Sequence, residues 1–239
     1  MCYHYALIVE KIELEERYDA TLEYEWVSQY HVGGFEHSAM PVITCERPKT
    51  FSRARWGLIP GWTKSREQAK EIAVSTLNAK SETVFEKASF KNSIQHKRCL
   101  VPASGFFEWK HVAKDKIPHY ISLRNEKVFS FAGLYDSWID KETGEEMQTF
   151  SILTAAANPM MEEIHNVKKR MPVILSKEAE QKWIQPTLSH EEINALLSPF
   201  PQAAMQAWTV SKLVNSEMNI SNVPAVLNRQ EYYESGQLF

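Results

Sequence analysis

The 239-residue chain is 44% apolar and 24% charged, which excludes disordered and fibrous classes and supplies enough apolar residues for one sizeable core. No apolar run approaches the roughly 20 residues a membrane span needs, and the stretch after Met1 turns acidic where a signal peptide is basic or apolar. A cytoplasmic location is the expectation. The net charge of −3 would by itself count against a nucleic-acid binder.

The distribution of charge changes that reading. Arg53 to Lys127 holds 15 Lys/Arg against 7 Asp/Glu, whereas the stretches before and after it are both acidic. A basic middle third is ordinarily a solvated face, but it also permits a phosphate-binding surface. Cys2, Cys45 and Cys99 are odd in number and form no CxxC pair, so neither a disulfide framework nor a zinc pattern is indicated. Reduced thiols are expected, with no metal and no cofactor.

In chain order, β-branched and aromatic residues cluster in short runs bounded by turn formers. Strands are predicted over Pro41 to Cys45, Ser52 to Ile59, Cys99 to Ala103, Phe106 to His111, His119 to Leu123, Val128 to Leu134, Thr149 to Thr154 and Pro172 to Leu175. Helical spacing marks Glu82 to Phe90. Ser176 can cap a helix through about Trp183, and Ser189 with Glu192 forms a capping-box pattern ahead of Ile193 and Leu196. Helices interrupt the strands irregularly, which points to an α+β fold of mixed, largely antiparallel twisted sheets, barrel-like, with a few flanking helices. One domain over 1–224 and a loosely held tail over 225–239 are expected.

Cys2 draws attention by its place. Initiator methionine is normally removed ahead of a small residue, which leaves a free α-amine beside a thiol. An α-amine with a pKa near 7.7 to 8 is substantially neutral at pH 7 and can add to an aldehyde, which an untuned lysine does poorly. The neighbouring thiol can then close onto the imine carbon to give a five-membered thiazolidine. A cysteine near a terminus is otherwise an ordinary small residue at the start of a strand.

Six further segments follow in order: Trp56-Gly-Leu-Ile-Pro-Gly-Trp62, Asn78-Ala-Lys-Ser-Glu82, Arg98 through Phe106-Phe-Glu-Trp109, Ala132-Gly-Leu-Tyr-Asp-Ser-Trp138, Thr154-Ala-Ala-Ala-Asn158, and His165 followed by Arg170-Met-Pro-Val-Ile-Leu175. Behind a Met-Cys start, this set resembles the SRAP family, named for SOS-response-associated peptidases, whose members crosslink to abasic DNA. The resemblance runs from Cys2 to about Pro224. It implies covalent capture of abasic sites in single-stranded DNA, with Cys2, Asn78, Glu108 and His165 as the catalytic set and possible lyase activity.

Each residue has chemistry suited to that role. Glu108 among aromatics can be desolvated, which raises its pKa and lets it donate a proton to the opening sugar. His165 can move protons near neutral pH, and Asn78 offers an amide for the Cys2 amine or a sugar hydroxyl. By the same resemblance Lys80 and Arg170 hold phosphates, Thr154 adds a hydroxyl, and Trp62 stacks on a base, a mode that binds a strand without reading its sequence.

The chain departs from the family pattern in three places. Tyr3 and His4 stand where Gly-Arg is common, Lys80 replaces an arginine and loses its bidentate fork, and Asn166 to Lys169 lengthen the spacing from His165 to Arg170. DNA binding is therefore expected to be weaker or more pH-dependent, with Lys168 and Lys169 as compensating cations. Two other classes fit a Cys2 start or a basic surface: an N-terminal-nucleophile thiol peptidase or amidohydrolase, and a noncatalytic single-strand binding module. A monomer is the expected state.

Overall fold

A computed structural model describes residues 2–232. It is a mixed α+β fold built on two sheets. The first has five strands: β1 (His4–Leu7), β2 (Gln29–Gly33), β7 (Gly105–Val112), β8 (Asp115–Leu123) and β13 (Met205–Thr209), in the order β13-β8-β7-β1-β2. The second has eight: β3 (Ala39–Thr44), β4 (Phe51–Trp56), β5 (Asn78–Lys80), β6 (Arg98–Ala103), β9 (Phe129–Ile139), β10 (Glu146–Ala156), β11 (Arg170–Pro172) and β12 (Ile174–Leu175). Within it, β10-β4-β3-β6-β9 close into a five-stranded barrel because β9 pairs back onto β10. The β10–β4 seam is parallel and the other four seams are antiparallel.

Alternation along the first sheet separates two cores. Tyr5, Leu7 and Phe106 face the main core with Trp56, Phe131 and Trp183, whereas Ala6, Phe107 and Tyr120 face a smaller cluster with Val210 and Val226. The phase of β7 therefore puts Glu108 on the main-core side with Phe106. That placement is the first step toward a site.

Among the described residues, seven short helices flank the sheets: α1 (Lys11–Tyr18), α2 (Arg66–Ser75), α3 (Ser93–His96), α4 (Pro159–Ile164), α5 (Lys177–Trp183), α6 (His190–Leu196) and α7 (Met218–Ser221). None of the described helices is long and apolar enough to cross a membrane. Ser176 caps α5 by accepting from Ala179 N, and Ser189 with Glu192 closes a capping box on α6, as the sequence predicts. Arg98 is wholly buried, with its guanidinium donating to the carbonyls of Ile94, Gln95, Trp183 and Gln185.

Three local expectations are corrected. Glu82 to Phe90 is a run of separate turns: Glu86 N and Lys87 N both reach Thr83 O, and Phe90 N reaches Lys87 O. Its helix-like spacing reflects Val84 and Phe90 reaching the core from successive turns. Pro172 to Leu175 is two strands, broken at Val173, whose N–H donates to Leu153 O while its carbonyl accepts from Ala132 N. The described part of the tail, 225–232, is docked rather than loose: Val226 is buried, Val210 bridges Arg229, and the Tyr232 hydroxyl donates to Val210 O.

Candidate active site

Cys2 lies just ahead of β1, the strand held between β2 and β7 by the pairs His4↔Gly33 and His4↔Phe107. Gly34 N donates to Tyr3 O at 2.8 Å, so the segment is pinned on both sides before the sheet begins. Cys2 is fully buried within the main core. Burial, reinforced by the nearby Glu108 charge, pushes its thiol well above the ordinary range. The sulfur is consequently a protonated thiol near neutral pH and a poor direct nucleophile.

Asn78 reaches Cys2 from the other sheet. Strand β5 runs parallel to β10 with Asn78 opposite Ile152, and the Asn78 Nδ2 donates to Cys2 O at 2.8 Å. Its Oδ1 is buried with no hydrogen-bond partner among the described residues. A buried, unsatisfied acceptor costs free energy.

Glu108 and His165 complete the group. Glu108 is 5% exposed, and burial raises its carboxyl to about 7, so it is part protonated at neutrality and able to act as an acid. Helix α4 is capped by Asn158, whose side chain accepts from Met161 N, and it ends at His165. His165 Nδ1 donates to Arg170 O at 2.8 Å and lies 3.8 Å from Glu108 Oε1. A carbonyl only accepts, so Nδ1 holds the proton and Nε2 is the basic nitrogen. Burial lowers this imidazole to about 4 and keeps it neutral.

The longer spacing between His165 and Arg170 is absorbed locally. Asn166 exchanges hydrogen bonds with the backbone of His111 on β7, and Lys169 takes a left-handed φ of 49° that turns the chain into β11. The insertion therefore docks on the strand that carries Glu108. His165 stays in register with it.

A cavity of about 450 Å³ opens onto this group, lined by Tyr3, His4, Glu108, His165, Lys116 and Lys168 among others. Cys2 and Asn78 lie behind that lining. His4 Nδ1 is 2.9 Å from His31 Nε2, and His31 Nδ1 is 2.7 Å from Ser221 Oγ, which donates to Glu217 O. The chain of donors puts a proton on His4 Nδ1, and burial, which lowers the imidazole to about 4, keeps the ring neutral. His4 is accordingly no cationic substitute for arginine at neutral pH.

The residues assigned to DNA divide into groups. Lys80, Thr154 and Arg170 meet: Lys80 is opposite Thr154 on β10, and Arg170 is opposite Ala156. Lys80 is exposed, but Thr154 is fully buried, its hydroxyl near Ala79 O and Arg170 Nη2. Thr154 thus seats Arg170 instead of presenting a free hydroxyl. Arg170 forms a two-pronged ion pair with Glu82, which neutralises much of its charge. Trp62 is 53% exposed and lines a different cavity, with Ala88 and Asn92. Its exposure fits a stacking surface, and it is not brought to Cys2.

Sequence reading missed His111, Lys116 and Asn215, which join the cavity lining from the β7–β8 hairpin and a 3-10 turn. No local pattern marks them, since only strand pairing brings them there. Among the described residues no group of three or more His, Cys, Asp or Glu is arranged to hold a metal ion.

Comparison with known proteins places this chain in a class. The chain matches the SOS response associated peptidase (SRAP) family model over residues 1–217 and belongs to that family. It is 36% identical over 226 residues to the abasic site processing protein YoqW of Bacillus subtilis, covering 92% of this chain and 97% of that one. It is 32% identical over 186 residues to the abasic site processing protein HMCES of Gallus gallus, and spans about half of that longer relative, 54%. A crystal structure of a protein from Bacteroides thetaiotaomicron is 40% identical with a TM-score of 0.91, covering 96% of this chain and 100% of that one.

Proposed function

We propose that this protein processes abasic sites in DNA by forming a covalent adduct through Cys2, once Met1 is removed, in single-stranded regions. The observation that carries the reading is that Asn78 on β5 bonds Cys2 ahead of β1, Glu108 on β7 faces His165 at the end of α4, and the Glu108 charge reaches the Cys2 thiol, all four side chains being buried. The names of the relatives support the substrate class.

The sequence of steps follows from the protonation states. Glu108, near its pKa, protonates the ring oxygen of the closed abasic sugar; the ring C–O bond breaks, the C1 hydroxyl gives up its proton to return the carboxylate to its acid form, and the aldehyde is freed. The α-amine adds to the aldehyde carbon, and loss of water gives the imine. The raised thiol is a poor first nucleophile, and in this order its sulfur bonds to the imine carbon after the amine has reacted. The thiol proton passes to the imine nitrogen, with the basic Nε2 of His165 as a relay. All atoms balance, and no oxidant is needed.

A thiol peptidase fits less well. Such an enzyme needs its cysteine pKa lowered, whereas burial and Glu108 push Cys2 the other way.

The deciding experiment is denaturing electrophoresis of the protein with single-stranded DNA bearing one abasic site, combined with intact mass. A heat-stable adduct on chains lacking Met1 is expected. Cys2→Ala, with Met1 still removed, is expected to keep a borohydride-trappable imine and some strand cleavage while losing the stable adduct. An equally stable adduct from Cys2→Ala without reductant would overturn the thiazolidine route.

A further inference from the structure

Beside the catalytic cavity lies a second groove of about 440 Å³, lined by Lys110, His119, Arg124, Glu163, Trp208 and Arg229 among others. Three of these are permanent cations and one is a carboxylate. Lys110, Arg124 and Arg229 have no carboxylate partner within ion-pair distance among the described residues, in contrast to Arg170 with Glu82 and Lys169 with Glu162. Uncommitted cations are the ones able to release counterions when a phosphate binds.

The groove borders the site. Lys110 follows Glu108 by two residues on β7 and so shares its face, and His119 pairs directly with Glu108 across β8. Glu163 and Ile164 of the groove immediately precede His165 on α4. The two cavities therefore flank one strand pair and one helix end.

Two of the cations are held in place. The Arg229 guanidinium lies 5.2 Å from the Trp208 ring centroid, and Arg124 Nε donates to Ala203 O at 3.2 Å. Trp208 is itself anchored by donating Nε1–H to Leu227 O. A guanidinium fixed against an aromatic loses little freedom when it takes up a phosphate.

We infer that this groove binds the backbone of the single strand on one side of the lesion, with Lys110, Arg124 and Arg229 as its phosphate contacts. The inference rests on the DNA reading above and extends it. It gives the strand a path on which the docked segment around Arg229 is part of the binding surface.

The test uses the full chain and a triple variant, Lys110→Ala, Arg124→Ala and Arg229→Ala. A control of equal charge change, Lys70→Ala, Lys141→Ala and Lys177→Ala, accounts for net charge. The probes are fluorescent single strands with an abasic site near one end, extending either 5′ or 3′ of the lesion. Binding is read against salt, with circular dichroism to check folding. On one of the two probes the triple variant is expected to lower the slope of log affinity against log salt by about 2, at about 0.7 per single-strand phosphate, and the control is not. Equal loss on both probes, no loss on either, or the same loss in the control overturns the groove. Wild-type crosslinking is scored on the same probes. One-sided loss of binding in the triple variant, without any wild-type adduct, would leave the groove standing and reject covalent capture.

Discussion

His165 and Glu108 face each other across 3.8 Å with the histidine's Nδ1 proton already committed to the Arg170 carbonyl. The pair is not locked into an ion pair, and each partner keeps the protonation state that burial dictates. The carboxyl is raised to about 7 and the imidazole is lowered to about 4. An acid and a neutral base therefore coexist at the same pH.

The rate of adduct formation should show this pairing. Protonated Glu108 is lost as pH rises through about 7, while neutral α-amine is gained toward 8. A bell-shaped profile between those values is expected. Glu108→Gln should slow formation and remove the descending limb, leaving the thiazolidine as product. A descending limb unchanged in Glu108→Gln would assign it to another group.

Folding stability should fall on acidification. His4, His31 and His165 have pKa values lowered by burial to about 4, 3 and 4, so below about 6.5 the unfolded chain takes up three protons that the folded chain refuses. Glu108 acts oppositely: its raised pKa means the folded chain takes up one proton as pH falls from about 7 toward 4.5. Burial also lowers His119 and raises Glu180, which act in opposite senses, so the balance stays near two protons in favour of unfolding, an upper slope of about 2.7 kcal/mol per pH unit between about pH 6 and 5. Urea denaturation at pH 7 and 5 checks it. His31→Gln should flatten the dependence, and a flat wild-type profile would refute the assignment.

The Arg170–Glu82 pair predicts a gain of function. Glu82→Gln removes a charge that occupies Arg170, so single-strand affinity should rise and its log–log salt slope steepen by about 0.7. Fluorescence anisotropy over a salt series reads both. An unchanged slope would mean that Arg170 does not reach a phosphate and serves only to seat β11 against Thr154.

Gly105 opens β7 opposite Ala6, and a Cβ placed there would collide with the end of the Tyr120 ring and lie 2.6 Å from Ile121 O. Backbone cannot give way as a side-chain end can. Gly105→Ala should therefore cost about 1 to 3 kcal/mol, read from urea midpoints at unchanged m. A neutral result would show that Tyr120 swings clear and that the Ile121 backbone shifts with it.

The fold is legible in the sequence wherever its signals are local. The strand cores around Val42, Leu100, Phe131 and Ile152 announce themselves by composition, and Ser176 and Ser189 by their caps. Helix α2 carries a weaker mark although Ser65 and Gln68 form its N-cap bond, because Ala69 and Ala73 are the only residues it buries. At the site, an ordered set of motifs identifies the residues but not their states. Nothing local in Thr154 says that its hydroxyl is occupied, or in Arg170 that Glu82 holds it. Those are facts of strand pairing and of charge brought near across the chain.

The parallel seam of the barrel has one more implication. Strand β4 leaves β10 at Trp56↔Phe150 and β5 rejoins it at Asn78↔Ile152, so an excursion of some twenty residues begins and ends two positions apart on one strand. Its ends are held by Gly57 N on Phe150 O and Ile152 N on Leu77 O. Lengthening an already closed loop adds only about 0.6 kcal/mol per doubling, so the exposed turn at Trp62 can grow at little cost, while Ile59, Ala69 and Ala73, packed with Trp138, hold the rest of the excursion in place. An insertion grafted at that turn is expected to leave Asn78 where it is relative to Cys2.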